Sequence, residues 1–108
     1  MILVVDDNPV TMEALGIALR LDGYEVEQAS DGHAALAQLE LRPFRAVILD
    51  HYMPGIDGIS TLKRMRGIPS LAKIPVVIAT AASTGEALKV LEETKDLQPT
   101  CVVRKPFT

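Results

Sequence analysis

Short runs of apolar and β-branched residues alternate along this chain with longer stretches that have helical periodicity. Five runs are predicted strands: Ile2 to Asp6, Tyr24 to Ala29, Ala46 to Asp50, Pro75 to Thr80 and Cys101 to Arg104. Four amphipathic stretches lie between them. Such alternation is typical of a parallel sheet covered by helices. We therefore expect an α/β fold with a doubly wound, five-stranded parallel sheet.

The composition of each strand predicts its place in the sheet. "ILVVD", "AVILD" and "PVVIAT" are almost wholly apolar, as in central strands that are covered on both faces. "YEVEQA" alternates between polar and apolar residues, which indicates an edge strand. For the strand order we assume the flavodoxin-like arrangement 2-1-3-4-5, in which the first strand lies between the second and the third.

Capping residues predict where the helices begin. Asn8 and Pro9 are the expected N-cap and first residue of a helix that ends at Gly23. Its predicted apolar face consists of Met12, Leu15, Ala18, Leu19 and Leu21. The other predicted caps are Ser30 or Asp31, Asp57, and Ser83 with Glu86 in capping-box spacing. The second and third helices are expected to pack through Ala35, Leu36 and Leu39, and through Ile59, Leu62 and Met65.

Length, charge and cysteine content exclude several classes of protein. With 108 residues the chain is long enough for one domain, which we assign to residues 1 to 108. No apolar run has the length of a membrane span. The net charge of -3 and the short basic cluster "KRMR" disfavour direct nucleic-acid binding. One cysteine, Cys101, and no signal-peptide pattern indicate a cytoplasmic protein.

The chain stops soon after the fifth strand, at "KPFT", which leaves no residues for a fifth helix. We therefore expect one flank of the sheet to lack its cover. An exposed apolar patch of that size usually marks a missing segment or a partner. A trimmed chain, a natural short form, and a helix supplied by another chain in a homodimer or domain swap all agree with this pattern.

Polar residues follow four of the predicted strands: Asp6 and Asp7, Asp50, Thr80, and Lys105. The carboxyl ends of parallel strands form the ligand crevice of doubly wound sheets, so these groups are expected to converge. Neighbouring carboxylates repel one another unless a cation lies between them, and Mg²⁺ prefers oxygen ligands and often bridges carboxylates to phosphate. Asp50 is then a candidate nucleophile in phosphoryl transfer, with Thr80 and Lys105 beside the transferred group.

Four sequence blocks resemble the signature blocks of the receiver domain of two-component response regulators: "VVDDNP", "VILDHYMPGIDG", "VVIATA" and "RKPF". They stand in order and span essentially the whole chain. The resemblance implies that Asp6 and Asp7 form the acidic pair for Mg²⁺. It implies that Asp50 is the phosphoacceptor and a metal ligand, and that the backbone carbonyl of Tyr52 is a further ligand.

The same resemblance implies that Thr80 is the switch hydroxyl and that Lys105 contacts the phosphoryl oxygens. Lys105–Pro106 is a candidate cis peptide. Many receivers carry an aromatic residue three positions before this lysine, where the chain has Val102. The stretch "DLQPT" also departs from the usual turn, so the fourth helix and fifth strand are expected to be joined differently.

The implied function is a signalling switch and not a dedicated enzyme. A histidine kinase or a histidine phosphotransfer protein would phosphorylate Asp50, and an unidentified output partner or domain would respond. One alternative is a phosphorylation-independent interaction module on the same fold. Another is an Mg²⁺-dependent phosphohydrolase, which would need a substrate pocket. His33 and His51 are predicted to be exposed, and Cys101 is predicted to lie in the core.

Overall fold

The computed structural model describes residues 1–51, 55–80 and 84–104 of the chain. Its strands are β1 (Ile2–Val5), β2 (Val26–Ala29), β3 (Ala46–Asp50), β4 (Val76–Thr80) and β5 (Thr100–Arg104). Its helices are α1 (Pro9–Leu21), α2 (Gly32–Leu41), α3 (Gly58–Arg66) and α4 (Thr84–Thr94), with a 3₁₀ turn at Pro69–Leu71. The five strands form one parallel sheet in the order β2-β1-β3-β4-β5. The predicted fold class and strand order are confirmed.

The central strands carry the core, as their apolar composition predicts. The fully buried side chains of β1, β3 and β4 include Leu3, Val4, Val47, Leu49 and Ile78. β2 is an edge strand, and it begins at Val26 instead of at Tyr24. The N–H of Tyr24 donates to the carbonyl of Leu19 at 3.1 Å, so this residue closes α1 and does not join the sheet.

The predicted caps are confirmed where the structure describes them. The side chain of Asn8 accepts the backbone N–H groups of Val10 and Thr11. In the same way, Asp31 accepts the N–H of Ala34, and Asp57 accepts the N–H of Ser60. Each bond satisfies a donor that the first helical turn leaves without a partner. Gly23 follows the end of α1 with φ +93°, a conformation that suits glycine. Ser83 lies outside the described residues.

The predicted apolar face of α1 is wrong at two positions. Ala18 is exposed, and Leu21 is 83% exposed. An α-helix turns about 100° per residue, so Leu21 projects from the side of the helix opposite Met12. The covered face of α1 consists of Thr11, Met12, Leu15, Gly16 and Leu19. A Cβ added to Gly16 would lie 3.1 Å from Gln28 Nε2. The predicted core residues of α2 and α3 are buried, except that Leu36 is half-buried.

One face of the sheet becomes more exposed toward β5. Val4, Ile48, Val77 and Cys101 are consecutive partners in the strand register and so share that face. Val4 is fully buried, Ile48 and Val77 are half-buried, and Cys101 is exposed. The prediction that Cys101 lies in the core is wrong, because the described residues place no helix over this end of the row.

Arg66, the last residue of α3, ties together two connections at the amino ends of the strands. Its guanidinium donates to four backbone carbonyls, those of Leu71, Ile74, Leu97 and Pro99, at 2.6 to 3.3 Å. Burial lowers the pKa of Arg66. The Gln98–Pro99 peptide in the α4–β5 connection is cis. From the sequence alone, Arg66 was only one residue of the basic cluster "KRMR", and its hydrogen bonds were not predicted.

Replacing Arg66 by methionine is expected to lower the free energy of unfolding by about 2 kcal/mol, because several carbonyls lose a charged donor. Urea denaturation measures the change. Arg64→Met is the matched control, since Arg64 is exposed on the same helix. Equal losses in the two variants would show that the bonds of Arg66 contribute nothing specific.

Candidate functional site

Three acidic side chains meet at the carboxyl ends of β1 and β3. Asp6 follows β1 and Asp50 ends β3, and the register pair Val5 and Leu49 sets these two positions side by side. One carboxylate oxygen each from Asp6, Asp7 and Asp50 lies within 4.8 Å of the others. Asp6 and Asp50 are 3% and 7% exposed, whereas Asp7 faces solvent. The predicted convergence of these carboxylates is confirmed.

Asp6 also shapes the turn from β1 into α1. Its N–H donates to the carbonyl of Ala29 at 3.2 Å, which extends the bonding between β1 and β2 by one residue. Its carboxylate Oδ1 accepts the N–H of Asn8 at 2.9 Å, and Asn8 then caps α1. The turn that orients Asp6 is therefore built by the same residues that begin the helix.

Thr80 ends β4, next to the strand that carries Asp50. Ala79 is the register partner of Asp50, so Thr80 lies one residue farther toward the carboxyl edge of the sheet. Thr80 is 1% exposed, and its Oγ1 is buried with no hydrogen-bond partner among the described residues. A buried hydroxyl without a partner costs about 1 to 3 kcal/mol, so this is a position where an added acceptor would be stabilised.

The connection from β3 to α3 requires glycine at two described positions. Gly55 has φ +83°, and a Cβ on Gly58 would lie 2.6 Å from the carbonyl oxygen of Asp50. The N–H of Gly58 donates to the carbonyl of His51 at 2.9 Å, which holds α3 against the end of β3. Both glycines therefore shape the turn between β3 and α3.

His51 is 8% exposed, so the prediction that it faces solvent is wrong. Its backbone N–H donates to Ala79 at 2.8 Å and its carbonyl accepts from Gly58, so the residue is held between β4 and α3. Its Nε2 lies 3.4 Å from Oε1 of Glu86 in the first turn of α4. Sequence alternation gave no signal for this contact, which depends on where α4 packs. His33 is exposed, as predicted.

Asp57, the N-cap of α3, has a pKa below its ordinary value. Burial opposes the charged form, but the hydrogen bonds from Ser60 and the positive charges of His51 and Lys63 outweigh it. The charged form is therefore favoured in the folded chain. Its contribution to stability is fully present above the ordinary pKa of 3.8 and is lost as the pH falls through the lower folded-state value.

Asp57→Asn keeps a capping oxygen and removes this charge. Wild type is expected to be the more stable protein at about pH 6, with the difference shrinking toward about pH 3 as Asp57 takes up its proton. Urea denaturation across this range measures the difference. Asp57→Ala loses the cap as well and should cost about 1 kcal/mol at every pH. Parallel pH profiles for wild type and Asp57→Asn would contradict the assignment.

Tyr52, Lys105 and Pro106 fall outside the described residues, as Ser83 does. Their predicted roles stay predictions. Val102, which stands where many receivers have an aromatic residue, is half-buried and packs against the core cluster. Its small side chain therefore lies at the margin of the hydrophobic core.

The family model of the response regulator receiver domain matches residues 2–108. The chain belongs to this family. A solved receiver fold, the chemotaxis protein CheY4 of Vibrio cholerae, is 30% identical with a TM-score of 0.89, and the match covers 99% of this chain and 87% of that one. A putative response regulator from Chloroflexus aurantiacus is 34% identical with a TM-score of 0.89, covering 99% and 85%.

Curated relatives of this receiver domain are longer proteins. It is 37% identical over 92 residues to the response regulator PleD of Caulobacter vibrioides, covering 84% of this chain and 20% of PleD. It is 32% identical over 91 residues to the signal transduction histidine-protein kinase BarA of Escherichia coli, covering 83% and 10%. The receiver domain spans about a tenth to a third of the relatives it matches. Within its described residues, no helix is long and apolar enough to cross a membrane.

The acidic cluster of this receiver domain has the chemistry of a site for a hard cation. Its three ligand groups are all carboxylates, and hard divalent cations bind oxygen ligands of this kind. Two of the three carboxylates are buried, which increases their mutual repulsion relative to bulk water. A cation between them would remove that repulsion, so the cluster fits a metal.

Proposed function

We propose that this chain is a phosphorylation-dependent signalling switch that accepts a phosphoryl group on Asp50. One observation carries the proposal: the carboxylates of Asp6, Asp7 and Asp50 lie within 4.8 Å of one another where β1 and β3 end. A single acid at a strand end is commonly a loop residue. Three acids brought together from two strands, beside the buried hydroxyl of Thr80, form a site suited to phosphoryl transfer.

Mg²⁺ is the cofactor proposed for this site. Asp6, Asp7 and Asp50 would hold it, together with the backbone carbonyl of Tyr52. When bound, it supplies positive charge that offsets the negative charge of the phosphoryl oxygens. The all-oxygen donor set and the burial of Asp6 and Asp50 support this assignment.

The side chains of the site have separate roles in the proposed transfer. A carboxylate oxygen of Asp50 forms a bond to phosphorus as the P–N bond of a phosphohistidine donor breaks, and the histidine leaves with the electron pair. The hydroxyl of Thr80 donates a hydrogen bond to a phosphoryl oxygen, which gives its Oγ1 a partner. The ammonium group of Lys105 pairs with another phosphoryl oxygen. Burial of Asp50 limits the access of water to the acyl phosphate.

The proposed phosphoryl donor is a histidine kinase or a histidine phosphotransfer protein, and the proposed location is the cytoplasm. A curated relative is itself named a histidine-protein kinase, which supports a two-component context. The receiver would act on an output partner or domain that the sequence does not identify. Association of two copies through the half-exposed row at Ile48 and Val77 is a further proposal. Sedimentation that shows only monomer at high concentration would contradict it.

Intact mass after incubation with acetyl phosphate tests the proposed function. Wild type is expected to gain one phosphoryl group with Mg²⁺ and none with a chelator. Asp50→Asn is the control and is expected to gain none under either condition. A gain that needs neither Mg²⁺ nor Asp50 would contradict the proposal. No gain in wild type would favour the phosphorylation-independent interaction module.

Thr80→Val tests the role of the Thr80 hydroxyl in the switch separately from its contribution to folding stability. Because Oγ1 of Thr80 has no partner among the described residues, its removal is expected to leave the unmodified chain as stable as wild type, or more stable by about 1 kcal/mol. The variant should also gain less stability than wild type from beryllofluoride with Mg²⁺, a mimic of the acyl phosphate.

Thermal unfolding with and without the mimic measures both effects of Thr80→Val. Thr61→Val is the matched control, because Thr61 is equally buried but donates to the carbonyl of Asp57 at 2.9 Å. It should destabilise the chain by about 1 kcal/mol and leave the gain from the mimic intact. The role of Thr80 would be contradicted if its variant gained as much stability from the mimic as wild type does.

A further inference from the structure

The residue after the proposed acceptor, His51, has a place in the fold that phosphoryl transfer does not use. Its backbone is bonded to β4 through Ala79 and to the start of α3 through Gly58. Because Asp50 and His51 share a peptide bond, a displacement of Asp50 at the end of β3 would act directly on His51.

The side chain of His51 reaches the first turn of α4. Its Nε2 lies 3.4 Å from Oε1 of Glu86, and the two side chains are only 10% and 22% exposed. A polar contact shielded from water in this way is stronger than the same contact on the surface. At 3.4 Å it is longer than the distance of about 2.9 to 3.0 Å typical of N–H···O hydrogen bonds, so a small shift of His51 would change its strength.

The fully buried side chains that the structure describes in α4 lie farther along the helix. Its buried described residues are Val90 and Thr94, both in the second half of the helix. Leu88 and Leu91 are 60% and 48% exposed. Among the described residues, Glu86 provides a polar contact between the first turn of α4 and the rest of the fold.

We propose that the contact between His51 and Glu86 couples the acceptor end of β3 to the first turn of α4, so that modification of Asp50 changes the stability of that turn. His51 is then a positioning residue that acts through Glu86 and touches no reacting atom. This inference rests on the proposed function, since the phosphoryl group on Asp50 provides the displacement. It gives the receiver a route to α4 that does not pass through Val102.

Hydrogen exchange of α4, with and without beryllofluoride and Mg²⁺, tests the coupling. The informative amides are those of residues 88 to 90, whose helical acceptors are the carbonyls of the first turn. In wild type the mimic is expected to change their exchange rates by about fivefold. Glu86→Ala and His51→Phe should lose most of that change. Glu93→Ala, which is exposed on the same helix, should keep it.

His51→Gln is the rescue variant, because the amide nitrogen of glutamine can still donate to Glu86. If His51 only filled space, the glutamine and phenylalanine variants would behave alike. It should retain most of the wild-type response. Intact mass with acetyl phosphate verifies that each variant still takes up a phosphoryl group. If His51→Phe does not fold, Glu86→Ala decides, since the side chain of Glu86 is partly exposed.

The outcomes distinguish the coupling from the proposed function. Phosphoryl uptake with an unchanged α4 response in Glu86→Ala and His51→Phe would overturn the coupling and leave the switch at Asp50 standing. A wild-type chain that loads fully but shows no response in α4 would also overturn the coupling alone. Absence of uptake by wild type would overturn the proposed function, and the coupling with it.

Discussion

Gly58→Ala is expected to destabilise the chain by about 3 kcal/mol, because the added Cβ overlaps backbone atoms that have no rotamer to change. The Cβ would lie 2.6 Å from the carbonyl oxygen of Asp50 and 3.1 Å from Cα of His51. To relieve the overlap, α3 has to move away from β3, which breaks the bond from Gly58 N–H to His51. Phosphoryl uptake on Asp50 should slow as the site distorts.

Urea denaturation measures the first effect of Gly58→Ala and intact mass after acetyl phosphate measures the second. Gly85→Ala is the matched control, since a Cβ on Gly85 meets nothing within 4 Å. Because Gly85 lies in α4, alanine there should stabilise the chain by about 0.5 to 1 kcal/mol. Losses of similar size in the two variants would contradict the steric account of the loop.

Asp7→Asn is expected to weaken Mg²⁺ binding by about 100-fold, which corresponds to about 2.7 kcal/mol. One of three carboxylates loses its charge, and the remaining two hold the cation less strongly. Asp7 is exposed, so the free energy of unfolding without metal should stay within about 0.5 kcal/mol of wild type. This variant therefore tests metal binding separately from folding. A substitution at Asp6 would affect both, since the carboxylate of Asp6 also accepts the N–H of Asn8.

Isothermal titration calorimetry measures the Mg²⁺ affinity, and the chain has no tryptophan to report it by fluorescence. Asp22→Asn is the control, because Asp22 is an exposed acid at the opposite end of α1. It changes the net charge equally and should leave the affinity within about twofold of wild type, because exposed charges at that distance are screened. Equal losses in both variants would mean that the cluster attracts cations only through the overall charge.

Much of the fold was predictable because local patterns and packing agree. Alternating strand and helix periods predicted the α/β class, and the caps at Asn8, Asp31 and Asp57 predicted helix starts that the structure confirms. The acids at strand ends were also predictable as a group, since parallel strands bring their carboxyl ends to one edge. The meeting of Asp6 and Asp50 follows from that rule once the strand order is known.

The sequence failed where a residue's surroundings come from distant parts of the chain. His51 was predicted to be exposed from strand alternation, yet it is buried because α4 brings Glu86 against it. Leu21 and Cys101 are apolar but exposed, since burial depends on which face of an element its neighbours cover. The carbonyls that Arg66 binds belong to two separate connections, so no local sequence pattern predicts these hydrogen bonds.

Reductive trapping with borohydride locates the phosphoryl group at the level of a single residue. Borohydride reduces an acyl phosphate, but not a free carboxylate, to an alcohol, so a phosphorylated aspartate becomes homoserine that peptide mass spectrometry identifies. After incubation with acetyl phosphate and Mg²⁺, we expect homoserine at the position of Asp50 and unchanged aspartate at Asp6 and Asp7. Homoserine at Asp6 or Asp7, or phosphorylated protein with Asp50 intact, would contradict the assignment of Asp50 as the acceptor.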